Sequence, residues 1–199
     1  MTDTPPLDLN SPYVLTTTDL GRSPGAMAQV TRRVTAPDDF RNAIIGVRPG
    51  SELPLDVRLE AVMDGILATV HTTVELVGEC SRCLRAIEDT MTVDFAEMFF
   101  YPGAKQAAIE EGDEEAEDMS EVIDERIDLA QPVRDAVVTA LPFQPLCRPD
   151  CQGLCPVCGL LLEDLPADHS HEQLDPRWAA LRALSSAGLE DSESDAEDD

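Results

Sequence analysis

Six cysteines and two of the three histidines fall in four close pairs: Cys80/Cys83, Cys147/Cys151, Cys155/Cys158 and His169/His171. Thiolate and imidazole are ligands for borderline and soft metals, and a structural zinc ion takes four of them. Eight candidates therefore suggest two sites, and a cofactor of one or two zinc ions. Three ways of joining the pairs are open. Cys155/Cys158 with His169/His171 is favoured, because ten residues separate those pairs and closing so short a loop is cheap. That leaves Cys80/Cys83 with Cys147/Cys151. Cys155-Pro156-Val157-Cys158-Gly159 reads as a zinc knuckle, in which proline stiffens the turn and glycine lets backbone N–H groups approach sulfur.

Competing chemistries use the same residues. Cys151-x3-Cys155-x2-Cys158 matches the cluster motif of radical enzymes, but the 41 residues after it cannot supply the barrel such enzymes need. A plain iron–sulfur cluster between Cys147 and Cys158 is a further alternative. The histidines can instead be two solvated side chains of a polar loop, since H-x-H is shorter than the usual finger spacing. Catalytic zinc keeps three protein ligands and an open position beside a carboxylate base. Glu163, Asp164 and Asp168 lie near the histidines, but no H-E-x-x-H or paired-acid pattern is present. His71 reads as an ordinary strand residue.

Composition narrows the class. The chain has 199 residues, 43% hydrophobic but only 4% aromatic, so a core is possible and must be aliphatic. Asp and Glu outnumber Lys and Arg 40 to 14, a formal charge of -26. Such a surface repels nucleic acid and anionic lipid at long range. No membrane-span run and no basic, apolar leader is present, and paired cysteines in a reducing compartment favour metal over disulfides. A cytoplasmic protein without a membrane or small-molecule substrate is expected. Eleven acids fall in residues 103–128 and seven in 190–199, in stretches too polar to fold alone. Residues 22–48 hold five arginines against Asp38 and Asp39.

The elements that must position the ligands follow from periodicity. Leu53, Leu55, Val57, Leu59 and Ala61 alternate with polar neighbours, and Ile66, Ala68, Val70, Val74 and Leu76 continue the period after the Asp64-Gly65 turn. Ile87, Met91, Val93 and Phe95 form a third alternating run, placing Cys80 and Cys83 at a hairpin tip. Ile127, Ala130, Val133, Val137 and Leu141 form a helical stripe, with Asp128 and Gln131 as a capping box and Pro142 as the stop. A last helix is expected from Asp175-Pro176, anchored by Trp178, Leu181 and Leu184. The fold class is α+β: an antiparallel β meander with a C-x2-C hairpin tip, followed by helices and a C-terminal zinc-knuckle segment. The expected organisation is a flexible N-terminus (1–21), a β-rich domain (22–102), an acidic linker (103–122), a helix and knuckle segment packing on the β domain (123–188), and a disordered acidic tail (189–199).

Several of these motifs occur together in a known family. Cys-Ser-Arg-Cys-Leu (80–84), an acidic gap, Leu-Pro-Phe-Gln-Pro-Leu-Cys (141–147), Gly-Leu-Cys-Pro-Val-Cys-Gly (153–159) and Asp-Pro-Arg-Trp-Ala-Ala-Leu (175–181) resemble the YceD family of large ribosomal RNA subunit accumulation proteins. The resemblance spans roughly residues 28–184. It implies a role in making, processing or stabilising large-subunit ribosomal RNA, with no established enzyme activity. Family members often carry C-x-C where this chain has His169-Ser170-His171, a swap that fits metal ligation.

Two function classes follow. One is a non-enzymatic metal-binding factor whose partners are the large-subunit ribosomal RNA precursor, a basic ribosomal protein, or both. Arg32, Arg33, Arg82, Arg85 and Arg148 are its candidate nucleic-acid contacts, and solvated strand charge is the plainer account of them. The alternative is a zinc-dependent hydrolase or nuclease acting on RNA.

Overall fold

The computed structural model describes residues 7–113, 116 and 120–171. The chain divides into two compact units, residues 1–153 and 154–199. The first is a mixed α+β structure built on a six-stranded sheet. Its strands are β2 (Met27–Thr35), β3 (Ile45–Val47), β4 (Glu52–Ala61), β5 (Gly65–Glu79), β6 (Ala86–Phe100) and β7 (Ser120–Glu121), with β1 (Val14–Thr16) and β8 (Arg126–Asp128) paired separately.

The alternating sequences form the strands they predict. The sheet order is β2-β4-β5-β6-β7, and β3 pairs with the far part of β5. Strands β4, β5 and β6 are consecutive antiparallel neighbours, with Leu55 opposite Thr72 and Thr72 opposite Val93. This register puts Leu53, Leu55, Val57, Leu59, Val70 and Val74 on one buried face. Asp56, Arg58, His71 and Asp94 stand on the wet face, where His71 Nδ1 lies 2.6 Å from Asp94 Oδ1. A period of two makes this division unavoidable once one face is covered.

The helix α2 (Ala130–Ala140) packs against β6 and buries Val133 and Val137. It stops where Leu141 turns extended, as a residue before proline must. Its start differs from the expected capping box. Ile127 belongs to β8, where it pairs with Leu15, and Asp128 Oδ1 accepts the Ala130 N–H at 2.9 Å. Gln131 turns away to Asp135 at 2.8 Å. A strand partner far away in sequence has claimed the first turn of the apolar stripe.

Two stretches are more ordered than the sequence suggests. Tyr13, Leu15 and Leu20, inside the segment read as a flexible N-terminus, are buried. Three-residue strands are too short for periodicity to reveal. Ala104–Glu110, read as part of an acidic linker, forms the helix α1, for which its alanines have high propensity. The helix expected after Asp175 and the acidic tail lie outside the described residues. Among the described residues no helix is long and apolar enough to cross a membrane.

Candidate metal centres

Of the three groupings the sequence allowed, the structure brings together two sets of four: Cys80, Cys83, Cys147 and Cys151, and Cys155, Cys158, His169 and His171. Within each set the donor atoms all lie within 4.8 Å of one another. The first set lies in the first unit and the second set in the other. The cysteines from 147 to 158 are therefore split, and the single cluster built from that run does not assemble.

In the first set, Cys80 and Cys83 sit on the connection between β5 and β6, while Cys147 and Cys151 come from the loop after α2. Cys80 Sγ is 3.8 Å from Cys151 Sγ, and Cys83 Sγ is 3.6 Å from Cys147 Sγ. Four Zn–S bonds of about 2.3 Å in a tetrahedron have edges of about 3.8 Å, so the thiols are spaced for one ion. They are too far apart for disulfides, which need about 2.05 Å. Three of the four residues are buried.

Electrostatics gives the same answer. Burial opposes ionisation of Cys80, but the backbone N–H groups of Cys147, Cys83 and Arg82 outweigh it and bring the thiol down to about 6. Desolvation, together with the neighbouring thiols of Cys83, Cys151 and Cys80, pushes Cys147 up to about 12. One thiolate forms easily, and desolvation above all opposes a second at Cys147. Only a bound cation lets all four ionise together.

Both C-x2-C turns have the same backbone. Cys80 N–H donates to Arg85 O at 2.8 Å, and Leu84 N–H donates to Cys80 O at 2.9 Å. Cys155 N–H donates to Leu160 O at 2.8 Å, and Gly159 N–H to Cys155 O at 2.9 Å. The residue after the second cysteine is left-handed in each, Leu84 at φ 60° and Gly159 at φ 70°. Glycine suits that conformation; leucine there is strained. Gly153 is also left-handed, at φ 83°, and a Cβ on it would lie 3.0 Å from Arg82 O.

Arg82 ties the first set together. Its Nη1 donates to Cys151 O at 2.8 Å, joining the β5–β6 connection to the loop after α2. Arg82→Ala should therefore lower the affinity of this set for zinc about tenfold, the usual effect of losing a group that orients a ligand. Competition with a chromophoric chelator measures this, and affinity equal to that of the unaltered chain would show that the bond orients nothing.

In the second set, Cys155 is buried, His169 half-buried, and Cys158 and His171 exposed. Cys158 Sγ is 3.7 Å from His169 Nε2, and the two imidazoles meet edge to face with centroids 4.5 Å apart. Backbone N–H groups of Cys158 and Val157, then the His169 ring, bring the Cys155 thiol down to about 6. Two thiols and two imidazoles at this spacing also suit a tetrahedral ion.

Of the candidate nucleic-acid contacts, Arg82, Arg85 and Arg148 lie on the two segments that carry the four cysteines, and the other two lie on β2. Arg32 and Arg33 are neighbours on β2 and so point to opposite faces. Arg33 is held by Glu52 at 2.8 Å, Arg48 by Glu75 and Glu88, and Arg148 by Asp150 at 3.3 Å. Arg82 is occupied by Cys151 O, and Arg85 is exposed beside Leu84. The positive stretch at 22–48 is therefore neutralised in part by acids that the sequence places elsewhere. The left-handed Leu84 and the 88% exposed Phe143 carried no sequence signal of their own.

Comparison with known proteins places the metal-type residues in context. The family described as large ribosomal RNA subunit accumulation protein YceD matches residues 68–185. An uncharacterized protein of Mycobacterium tuberculosis is 45% identical over 171 residues, covering 86% of this chain and 80% of that relative. One from Mycobacterium leprae is 37% identical over 173 residues, covering 87% and 77%. No solved structure matches.

Proposed function

The chain belongs to the YceD family, and from that premise we propose that it is a non-enzymatic, zinc-stabilised factor in the synthesis, processing or stability of large-subunit ribosomal RNA. The observation that carries this reading is the pair of closed donor sets, which leave a tetrahedral ion no position for water or substrate. The β5–β6 connection then serves as a C-x2-C hairpin tip and residues 153–159 as a zinc knuckle. Zinc supplies cross-linking here, and the chain's own backbone N–H groups compensate the thiolate charge. The site of action is the cytoplasm, on ribosomal RNA precursor or a basic ribosomal protein.

Protein purified without added metal should be colourless and carry two zinc per chain. Cells depleted of it should lose mature large-subunit ribosomal RNA, and the tagged protein should sediment with large-subunit precursor. Brown protein with stoichiometric iron and sulfide would replace zinc by a cluster. A zinc site with three protein ligands and exchangeable water, together with RNA cleavage, would favour the nuclease reading.

Charge should govern the encounter with a basic partner. Deleting residues 189–199 removes seven negative charges. The shortened chain should keep its zinc and associate several-fold more slowly with basic ribosomal protein at low salt, the difference fading as the Debye length shrinks below about 8 Å. Stopped-flow association at several salt concentrations measures this. Unchanged salt dependence would assign recognition to the rest of the chain.

A further inference from the structure

Strand β2 ends the sheet, and among the described residues no strand pairs with its outer edge. Its nine residues keep one register against β4, from Met27 opposite Glu60 to Thr35 opposite Glu52, without a bulge or a proline. The ladder fixes which backbone groups are used. Ala61 N–H donates to Ala26 O and Ala36 N–H donates to Ser51 O, each at 2.9 Å, so the even-numbered residues bond to β4. Antiparallel pairing alternates, and the N–H and C=O of Met27, Gln29, Thr31, Arg33 and Thr35 therefore point away from the sheet. All five residues are exposed. Two of their side chains are tied back to β4, Thr31 Oγ1 to Asp56 Oδ1 and Arg33 Nη1 to Glu52 Oε1, both at 2.8 Å. A long, regular, uncovered edge is a template for another strand.

This edge fits a copy of itself. Thr31 is the midpoint of β2, and its own N–H and C=O point outward. A two-fold axis beside Thr31 pairs it with its counterpart, Gln29 with Arg33 and Met27 with Thr35, so every outward group finds a partner. On the other face Val30 meets Arg32, and Ala28 meets Val34.

Charge selects the same register. Charged side chains guard an edge where they would meet their like. About Thr31 no arginine opposes an arginine: Arg33 faces Gln29 and is already balanced by Glu52, and Arg32 faces Val30. An axis at Arg32 or Arg33 would set like charges opposite each other, and any axis away from Thr31 leaves part of the strand unpaired. Residues 20–37 contain no Asp or Glu, although the chain has 40. Two chains of charge -26 repel least when they approach through this stretch.

We infer that β2 pairs antiparallel with β2 of a second copy of this chain, about a two-fold axis at Thr31, joining two sheets into one. The inference is independent of the proposed function. Sedimentation velocity of the zinc-loaded full chain at physiological salt, over a wide concentration range, should show a species of two chains. Thr31→Pro deletes an outward N–H and no bond to β4, so that variant should keep its circular dichroism and zinc content yet sediment as one chain. Thr31→Lys and Thr31→Glu each set like charges across the axis. Each alone should associate several-fold more weakly, and an equal mixture of the two should recover the two-chain species.

A single chain at every concentration overturns the inference, and so does a two-chain species that Thr31→Pro leaves intact. A mixture that associates no better than its components also overturns it, because only self-pairing at Thr31 brings the two charges side by side. If the chain stays single but binds an extended acidic peptide, and Thr31→Pro abolishes that binding, the edge serves a different strand and the inference fails.

Discussion

Zinc should leave the two donor sets in two steps, first from Cys155, Cys158, His169 and His171. In that set two residues are exposed and one half-buried, whereas three of the four cysteines in the other set are buried. Exposure admits chelator and water to the ion, and a neutral imidazole holds a divalent cation less strongly than an anionic thiolate does. The consequence for folding is large. Among the described residues of 154–171, Cys155 alone is a buried apolar side chain. A structural zinc ion in a small peptide contributes about 10–16 kcal/mol, and no other described apolar side chain of this segment is buried to replace it. Titration with EDTA, followed by zinc release and by amide exchange, should show residues 154–171 losing protection with the first ion. The midpoints should lie at least tenfold apart in chelator. One concerted step, or release from the four-cysteine set first, would contradict this ranking.

Cys83→Ser should cost the first unit about 4 kcal/mol, yet leave its sheet standing. For a chain of this size that corresponds to a fall of roughly 10 °C in Tm. The substitution removes one of four ligands and leaves the other thiols crowded around a weakened ion. What the ion holds is local: the β5–β6 connection and the loop after α2. The rows Leu55–Thr72–Val93 and Val57–Val70–Phe95 lie along the middle of the sheet and need no metal to stay paired. Amide exchange should therefore quicken by orders of magnitude at residues 80–85 and 145–151, while β4 and the paired part of β5 stay protected. Global unfolding of Cys83→Ser protein at 25 °C would show that the metal holds the whole unit, and His71→Ala serves as the mild control.

Much of this protein was determined locally. The period of two in residues 53–61, 66–76 and 87–95 specified three strands and their buried face, because side chains in a strand can only alternate. The four ligand pairs, and the short loop from Cys158 to His169, favoured these two donor sets among three groupings, because closing a short loop costs least. Pro142 specified where α2 ends, since proline denies its predecessor the helical backbone.

Tertiary structure decided the rest. Ile127 reads as the start of a helix, but Leu15, over a hundred residues earlier, takes it into a strand; no local pattern contains that partner. The arginines of residues 22–48 read as a positive patch, but Glu52 reaches Arg33, and Glu75 and Glu88 reach Arg48, so part of the charge that is clustered in sequence is paired in space. The equivalence of the two C-x2-C turns was hidden because Leu84 stands where the other turn has Gly159. Left-handed backbone is announced by glycine, and a leucine held there by its N–H bond to Cys80 O announces nothing until the chain is folded.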